Sequence, residues 1–344
     1  MISLYLGLLI FSFLITSILV VPFIDLLYKM KLQRRKQVTI DFQGKKLGIF
    51  DKFGNVKVGT PIGGGILIIA VVSVLYLILF PLISFFGTQI NLAYPLKPEL
   101  NILFFTFISF GLLGLYDDIL KTFGFEKSGF FGLKMKQKFA IQWILAIIVS
   151  VLLFQNLKID IINVPFFGVL DLGWLFVPFS SFIIVGFANA YNITDGLDGL
   201  SSGVLLICLF AFWILAFAAL DTPLTVFLAL WIGSLIAFLY FNVYPARIFL
   251  GDVGALAFGA TLAVIGLLIG KTVALIVIGG IFIVEGTSSL IQLLSWRFRK
   301  KRTLPAAPLH LWLQNIGWEE PKIVMRAWLA AIMLAVLGLW LAYV

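Results

Sequence analysis

Ten apolar runs, each long enough to cross a lipid bilayer, dominate this sequence. About 20 consecutive apolar residues span the hydrocarbon core as a helix, and the runs fall at 2–28, 62–86, 101–116, 139–154, 174–191, 201–220, 223–241, 255–270, 272–293 and 324–343. The charged fraction is 12%, about half that of a soluble domain. We therefore predict an all-α polytopic membrane protein of about ten transmembrane helices, a single domain over 1–344, and exclude a compact soluble enzyme.

Lysine and arginine residues are distributed unevenly between the two sides of these predicted helices. Of the 25 Lys and Arg residues, 22 follow the first, third, fifth, seventh and ninth runs, and only Lys97, Lys158 and Lys271 lie on the other side. Because positive residues are retained in the cytoplasm, we predict that both termini face outward and that the five loops are cytoplasmic. The net charge of +9 is then mostly a topology signal, and we predict no nucleic-acid partner.

Five of the 16 acidic residues lie in or beside three short segments on the predicted cytoplasmic side. The first segment, GLYDDILK at 114–121, places Asp117 and Asp118 near a helix C-terminus, where they repel each other and the helix dipole. A nearby cation is expected, and Lys121 lies one turn on. The pair is either a hydrated helix end or a site for magnesium or for proton transfer from a phosphate.

The second segment, NAYNITDGLDGLSSG at 189–203, carries four side chains with oxygen acceptors. Asp195 and Asp198 are three residues apart, which predicts that they share a helix face, and Asn189 and Asn192 repeat the spacing upstream. The glycines beside the carboxylates allow a ligand to approach the backbone closely. A capped polar turn is the structural alternative to a binding site.

The third segment, FNVYPARIFLGDVGALAFG at 241–259, places Asp252 immediately before a predicted helix. Backbone N–H groups at a helix start suit an anionic ligand, but an aspartate there would repel a bare phosphate. A divalent cation between Asp252 and phosphate resolves this conflict, and an ordinary N-cap aspartate is the alternative. With one cysteine, Cys208, and one histidine, His310, the chain excludes a multi-cysteine metal centre and a histidine-only metal cage.

A fourth polar segment follows the ninth run. Its basic cluster at 297–302 most simply anchors the chain to anionic membrane lipids, and diphosphate binding is the alternative. Apolar residues then recur at helical spacing over 309–316, which predicts a short amphipathic helix on the membrane surface that carries His310. Within the ninth run, Glu285 precedes a small and polar stretch that is typical of a bend or a close helix contact.

Most of the chain is covered by a series of motifs, in the order GTPIGGG at 59–65, GLYDDILK, GLKMKQKF at 132–139, NAYNITDGLDGL, FNVYPARIFLGDVGALAFG, GGIFIVE at 279–285 and PLHLWLQNIGWEEPKIVMRAW at 308–328. In these motifs the sequence resembles the polyprenyl-phosphate N-acetylhexosamine-1-phosphate transferases, and most nearly their phospho-N-acetylmuramoyl-pentapeptide transferase branch. The resemblance implies a ten-helix, commonly dimeric enzyme of the bacterial cytoplasmic membrane with a cytoplasmic active-site cleft. It also implies that phospho-MurNAc-pentapeptide passes from its UDP carrier to undecaprenyl phosphate, releasing UMP, with Mg²⁺ as cofactor.

The resemblance further implies a role for each candidate residue. Asp117 and Asp118 would handle the lipid phosphate, one of them as its base, and Asp252 would hold Mg²⁺ together with Asn192. The other implied roles are substrate binding by Asn189 and Asp195, contacts with the uridine by Asp198, Asn242 and Phe249, and contacts with phosphates by Lys57, Lys121 and His310.

The chain departs from this family at two motifs. Three consecutive histidines are usual where this chain reads His310, Leu311 and Trp312, and the usual GTPTMGG reads GTPIGGG, with Ile62 and Gly63. Losing an imidazole from a diphosphate site would cost on the order of 1–3 kcal/mol per charged hydrogen bond. Either the nucleotide is bound differently, or the enzyme is slower, or its donor differs.

Three functions remain open from the sequence. In the favoured one, the lipid phosphate attacks the sugar-linked phosphorus in line while Mg²⁺ on Asp252 stabilises the leaving UMP, with a two-step route through an aspartyl phosphate as a variant. The second keeps this chemistry but takes UDP-GlcNAc as the donor. The third, a transporter or a non-catalytic membrane protein, is disfavoured because transporters place ionisable residues near the bilayer midplane.

Overall fold

The computed structural model describes residues 1–34, 57–85, 89–123 and 135–344. Within these residues the chain forms twelve α-helices and one β-hairpin. In chain order they are α1 (Ile2–Lys29), α2 (Gly64–Phe85), α3 (Leu96–Phe123), α4 (Met135–Asn156), β1 (Ile161–Val164), β2 (Gly168–Asp171), α5 (Phe176–Thr194), α6 (Leu200–Ala218), α7 (Thr222–Asn242), α8 (Gly251–Leu268), α9 (Thr272–Ile278), α10 (Gly280–Arg299), α11 (Leu309–Asn315) and α12 (Glu320–Tyr343).

The membrane-spanning helices agree with the sequence prediction, except at the ninth run. Among the described residues, nine helices are long and apolar enough to cross a membrane, and α9 with α10 passes the same test as a pair bent by 77°. The prediction of a single unbroken helix over 272–293 is therefore wrong, because the apolar run is divided into two helices. The break falls at Gly279, where a Cβ would lie 2.5 Å from Cε1 of Phe187 in α5, so close packing against α5 requires a glycine there.

Helix α8 occupies the centre of the helix bundle. All of its residues from Val253 to Leu268 are buried, as expected for a helix that is apolar on every side. Helices α3 and α5 pack along it. The ring of Phe258 in α8 stacks on Phe107 of α3, with centroids 5.7 Å apart, and meets Trp231 of α7 at 5.1 Å. Aromatic packing thus joins α8 to α3 and to α7.

Glycines allow α2 and α3 to approach the start of α8 closely. A Cβ at Gly65 would lie 2.4 Å from the Cα atom of Gly254, and a Cβ at Gly114 would lie 2.1 Å from the carbonyl oxygen of Asp252. Because the atoms met are backbone atoms, no side-chain rotation would relieve the overlap. The start of α8 is therefore fixed against the last turns of α3, where Asp117 and Asp118 lie.

The β-hairpin lies at the end of the bundle opposite to Asp117 and Asp118. Strands β1 and β2 pair antiparallel, with Ile161 opposite Asp171. Helix α4 begins beside α3, since Nζ of Lys138 in its first turn lies 2.9 Å from Oδ2 of Asp117. The 22 residues of α4 then extend about 33 Å before the chain reaches β1. The hairpin and the acidic residues of α3 therefore lie at opposite ends.

Candidate active site

Three helices bring polar side chains to one cavity at the end of the bundle away from the hairpin. Asp118 and Lys121 come from the last turns of α3, Asn192 from the last turn of α5, and Asp252 from the first turn of α8. The residues that line the cavity are Gln33, Arg34, Ile62, Asp118, Lys121, Thr122, Asn192, Asp195, Gly196, Leu197, Phe249, Gly251 and Asp252. The three acidic segments thus meet at one pocket, as the sequence predicts.

Asp252 lies at the centre of a charged network. The Nζ atom of Lys121 lies 2.6 Å from Asp252 Oδ2, Lys138 donates to the same oxygen, and Asn192 Nδ2 donates to Oδ1 at 3.0 Å. Both lysines also contact Oδ2 of Asp117, at 3.0 and 2.9 Å. Two carboxylates and two ammonium groups therefore form a charge-balanced cluster that joins α3, α4 and α8.

Asp118 docks on the start of α8. Its Oδ2 accepts a hydrogen bond from the backbone N–H of Val253 at 3.0 Å, and the N–H groups of a first helical turn carry partial positive charge. Gly251 has a φ of +79°, and a Cβ there would lie 2.6 Å from Asp118 Oδ2. The glycine thus provides both the backbone conformation and the space for the carboxylate.

Asp195 and Asp198 lie in the turn between α5 and α6, so the prediction that they share a helix face is wrong. Helix α5 ends at Thr194, and Gly199, with a φ of +76°, precedes α6. The helix therefore ends before both carboxylates, and Gly199, in a left-handed conformation that glycine adopts readily, leads from the turn into α6. Asp195 accepts from Ser201, whereas Asp198 is paired with Lys57, so the two carboxylates have different partners.

Burial shifts the titration of two groups at this turn. It raises the pKa of Asp195 to about 6, although the hydrogen bond from Ser201 and the positive charges of Arg34 and Lys57 act the other way. Burial also lowers the pKa of Arg34, against the raising effect of nearby carboxylates, Asp195 first among them. A guanidinium stays protonated in proteins, so Arg34 is a cation. Asp195 changes its charge near pH 6.

Lys57 joins the turn to α12. Its Nζ lies 2.5 Å from Asp198 Oδ1 and 2.5 Å from Glu320 Oε1. Glu320 also accepts from the backbone N–H of Asp198 at 2.6 Å, and the N–H of Ala246 donates to Asp198 Oδ2 at 2.9 Å. The Lys57 ammonium further lies 5.8 Å from the ring centroid of Phe249. Lys57, Asp198 and Glu320 thus form a second cluster of paired charges.

His310 has both its backbone and its ring held by Glu285. The predicted short helix is confirmed as α11, and His310 in it is buried. Its Nδ1 lies 3.0 Å from Glu285 Oε2, and its backbone N–H donates to Oε1 at 3.1 Å. A Cβ placed on Gly196 would lie 2.5 Å from Nε2 of His310, which is the atom that it would approach most closely. The second ring nitrogen therefore faces the turn that lines the cavity.

Comparison with known proteins identifies the family. Residues 100–270 match Glycosyl transferase family 4. The chain is 35% identical over 286 residues to the phospho-N-acetylmuramoyl-pentapeptide-transferase of Bacillus pumilus, which covers 83% of this chain and 84% of that protein. The protein of the same name from Acetivibrio thermocellus is 37% identical over 286 residues, or 82% of this chain and 81% of that protein. This chain belongs to the phospho-N-acetylmuramoyl-pentapeptide-transferase family.

The candidate residues of this phospho-N-acetylmuramoyl-pentapeptide-transferase family member fall into three groups. Asp118, Lys121, Asn192, Asp195, Phe249 and Asp252 line the cavity, and Asp117, Lys57, Asp198 and His310 lie behind its lining. Two residues are held elsewhere: Asn189 donates to Gln142 Oε1 at 2.6 Å, and Asn242 is bonded to Ser202 and to the carbonyl oxygen of Ile248, both at 2.9 Å. Substrate contacts by all of these candidate residues stay predictions.

Three further residues of the site were not singled out from the sequence. Lys138 and Glu320 lie inside motifs that carry the family resemblance, so those motifs were the available signal. Arg34 lies in none of the motifs, and only the fold brings it to the cavity wall. Glu285 was singled out for the small and polar stretch that follows it, and the structure shows it buried and paired with His310.

The oxygen atoms beside the cavity suit a magnesium ion. The Asp252 carboxylate and the Asn192 carboxamide are adjacent, and Mg²⁺ prefers such oxygen ligands. Within the described part of the chain, no three Asp, Glu, His or Cys side chains converge into a metal cage. Mg²⁺ usually binds through one or two carboxylates together with substrate phosphates and water, so this pair of residues fits the ion.

Proposed function

We propose that this protein transfers phospho-MurNAc-pentapeptide from its UDP carrier to undecaprenyl phosphate, giving lipid I and UMP, in the bacterial cytoplasmic membrane. Its membership of the phospho-N-acetylmuramoyl-pentapeptide-transferase family supports the donor, the acceptor and the reaction. One structural observation carries the chemistry: carboxylates from α3 and α8 meet two lysines at a single cavity. We further propose that this cavity faces the cytoplasm and that the protein is a homodimer.

The reaction must bring two anions together. An oxygen of the lipid phosphate forms a bond to the phosphorus attached to the sugar, the bond from that phosphorus to the bridging oxygen breaks, and UMP leaves with the electron pair. Catalysis of phosphoryl transfer consists mainly of positioning and of neutralising charge. Lys121 and Lys138 supply positive charge at this end of the cavity, and one carboxylate of the Asp117 and Asp118 pair accepts the acceptor's proton.

On this proposal, the turn between α5 and α6 and the residues around it bind the nucleotide part of the donor. Phe249 offers a ring to the uridine, as Asp198 and Asn242 offer polar atoms, and Lys57 and His310 meet the phosphates. Asn189 and Asp195 complete the substrate-binding set. Asp252 and Asn192 would hold Mg²⁺, which when bound would neutralise charge on the phosphates.

Two alternatives share these residues. A donor carrying GlcNAc is less favoured, because the relatives over more than four fifths of the chain carry the muramoyl-pentapeptide name. A covalent aspartyl phosphate would divide the reaction into two transfers. Incubation with the donor alone separates the routes, since only the two-step route releases UMP stoichiometrically before undecaprenyl phosphate is added.

The test is an assay of the detergent-solubilised protein with undecaprenyl phosphate, Mg²⁺ and UDP-MurNAc-pentapeptide, following both UMP and the lipid product. We expect equal amounts of the two products, and a lower rate when UDP-GlcNAc replaces the donor. Asp252→Asn should reduce the rate at least 100-fold, because it removes one charge from a partly buried cluster of paired charges. Asp25→Asn is the matched control, since Asp25 is exposed on α1.

Two results would contradict the proposal. A wild-type protein that binds the donor but forms no lipid product would exclude the transferase activity. An Asp252→Asn protein that keeps the parent rate, with its thermal unfolding unchanged, would exclude the assigned site. Faster UMP release from UDP-GlcNAc would favour the alternative donor.

A further inference from the structure

Arg34 is a cation on the cavity wall whose backbone is fixed on both sides. It follows α1, and its N–H donates to the carbonyl oxygen of Thr60 at 2.9 Å, while its carbonyl oxygen accepts from Gly59 at 3.0 Å. The neighbouring residue Gln33 forms a β-bridge with Pro61. The side chain therefore projects from a backbone anchored to the 59–61 segment, and it lines the cavity.

The other cations of the site are already paired with carboxylates. Lys121 and Lys138 contact Asp117 and Asp252, and Lys57 contacts Asp198 and Glu320. Within the described ranges 1–34, 57–85, 89–123 and 135–344, no carboxylate oxygen lies within 4 Å of the Arg34 guanidinium. Arg34 is thus a partly buried cation that is available for an anionic ligand.

The guanidinium lies on the nucleotide side of the proposed active site. Its central carbon is 5.7 Å from the ring centroid of Phe249, the residue proposed to meet the uridine. Asp195 lines the same cavity as Arg34, and the described carboxylates that raise the pKa of Arg34 are those of Asp195, Asp198 and Glu320, which surround the α5–α6 turn rather than the Lys121 and Lys138 cluster. An arginine presents a planar fork of donors that matches phosphate oxygens in pairs.

We propose that Arg34 binds the diphosphate of the nucleotide donor and so helps this site to select a nucleoside diphosphate over a nucleoside. This inference rests on the proposed function, because it takes the UDP part of the donor as the ligand. It also provides a diphosphate contact in a chain that has Leu311 and Trp312 where its family usually has histidines.

Calorimetric titration of the detergent-solubilised full-length protein with UDP and with uridine tests the proposal. Arg34→Ala should weaken UDP binding about 10- to 100-fold, which corresponds to one lost charged hydrogen-bonding group, and leave uridine binding unchanged. Arg34→Lys should fall between, since it keeps the charge but loses the fork. The matched control is Arg247→Ala, because Arg247 is exposed and lies 5.4 Å from the Phe241 ring, outside the cavity lining.

Steady-state kinetics distinguishes the two phosphates that the guanidinium could meet. We expect Arg34→Ala to raise KM for UDP-MurNAc-pentapeptide and to leave KM for undecaprenyl phosphate unchanged. A rise only in KM for the lipid would overturn the proposal and assign Arg34 to the acceptor. Equal losses of UDP and uridine affinity would also overturn it, since Arg34 would then only support Phe249.

Failure of this inference differs from failure of the proposed function. Wild-type protein that binds no UDP would contradict the proposed function itself. Equal UDP affinities of wild type, Arg34→Ala and Arg34→Lys would overturn only the role of Arg34. Melting temperatures of all variants identify unfolding, and Arg34→Gln, which keeps the stem and a planar polar end, replaces Arg34→Ala if that variant does not fold.

Discussion

Glu285 holds the imidazole of His310 from two directions. One carboxylate oxygen contacts the ring nitrogen Nδ1, and the same carboxylate accepts from the backbone N–H of His310. A carboxylate at Nδ1 places the proton on that nitrogen when the ring is neutral and stabilises the ring when it is charged. Glu285 is therefore a positioning residue that acts on the active-site turn through His310.

We predict that Glu285→Gln lowers kcat about tenfold, because the variant keeps the shape but loses a charge-assisted hydrogen bond. A double-mutant cycle with His310→Ala, measured by UMP release, is the test. His310→Ala should cost much less in the Glu285→Gln protein than in wild type. Additive losses would show that Glu285 acts independently of the imidazole.

The raised pKa of Asp195 predicts how the stability of the protein depends on pH. Its folded pKa of about 6 lies above the ordinary value of 3.8, so the folded protein binds this proton more tightly than the unfolded chain. Stability from this group is complete below about pH 4 and is lost as pH rises through 6. We expect wild type to lose melting temperature relative to Asp195→Asn over this window, in EDTA, and the difference to level off above pH 7. A pH-independent difference would contradict the shift.

At the scale of the helices, the close contact between α3 and α8 depends on Gly114. We predict that Gly114→Ala destabilises the protein by about 1–3 kcal/mol, because the new Cβ would overlap the backbone of Asp252. Moving Asp252 by 1 Å should also reduce the rate about 100-fold. Thermal unfolding and UMP release measure the two effects.

Gly186→Ala is the matched control for this substitution. Gly186 lies within α5, and a Cβ there would have nothing within 4 Å. Alanine is favoured over glycine inside a helix by about 1 kcal/mol, so this variant should be as stable as wild type or more stable, with the same rate. Equal behaviour of the two variants would show that the α3–α8 contact is not close.

The helices were predictable from the sequence because apolar length alone determines whether a segment can span a bilayer. The places where prediction failed are local changes of backbone direction. Apolarity continues through Gly279, so periodicity gives no sign of the break between α9 and α10. Likewise, a spacing of three predicts one helix face for Asp195 and Asp198, but α5 ends at Thr194 and both carboxylates lie in the turn that follows.

The sequence identified the types of residue that form the site but not most of the pairs that they form. Carboxylates beside a bilayer need partners, which is why the acidic segments stood out. One partner is local, because the predicted cation Lys121 lies one turn from Asp117 and pairs with it at 3.0 Å. The other partners are distant along the chain: Lys138 is 114 residues from Asp252, and Lys57 is 263 residues from Glu320. No local pattern encodes such pairings. Arg34 was missed for the same reason, since its neighbours at the cavity come from distant segments.

The whole molecule combines a strongly apolar surface with an asymmetric charge distribution. Large apolar side chains such as Leu77, Phe85 and Phe298 are at least 75% exposed, which is typical of surfaces that face lipid. Among the described residues, Arg34, Lys57, Lys121 and Lys138 lie at the cavity or in the charge clusters beside it, whereas the hairpin is at the opposite end. The positive-inside rule then predicts that the cavity faces the cytoplasm and that the hairpin faces outward.

Cysteine labelling in bacterial cells tests this orientation. The buried Cys208 is first replaced by alanine, and single cysteines are then placed at Phe167, which is 89% exposed in the hairpin turn, and at Arg302, which is exposed after α10. We predict that a membrane-impermeant maleimide labels Phe167→Cys in intact cells and labels Arg302→Cys only after permeabilisation. The background without an inserted cysteine should stay unlabelled. The reverse pattern would place the charged cavity outside, away from the nucleotide donor, and would exclude both the orientation and the proposed function in cells.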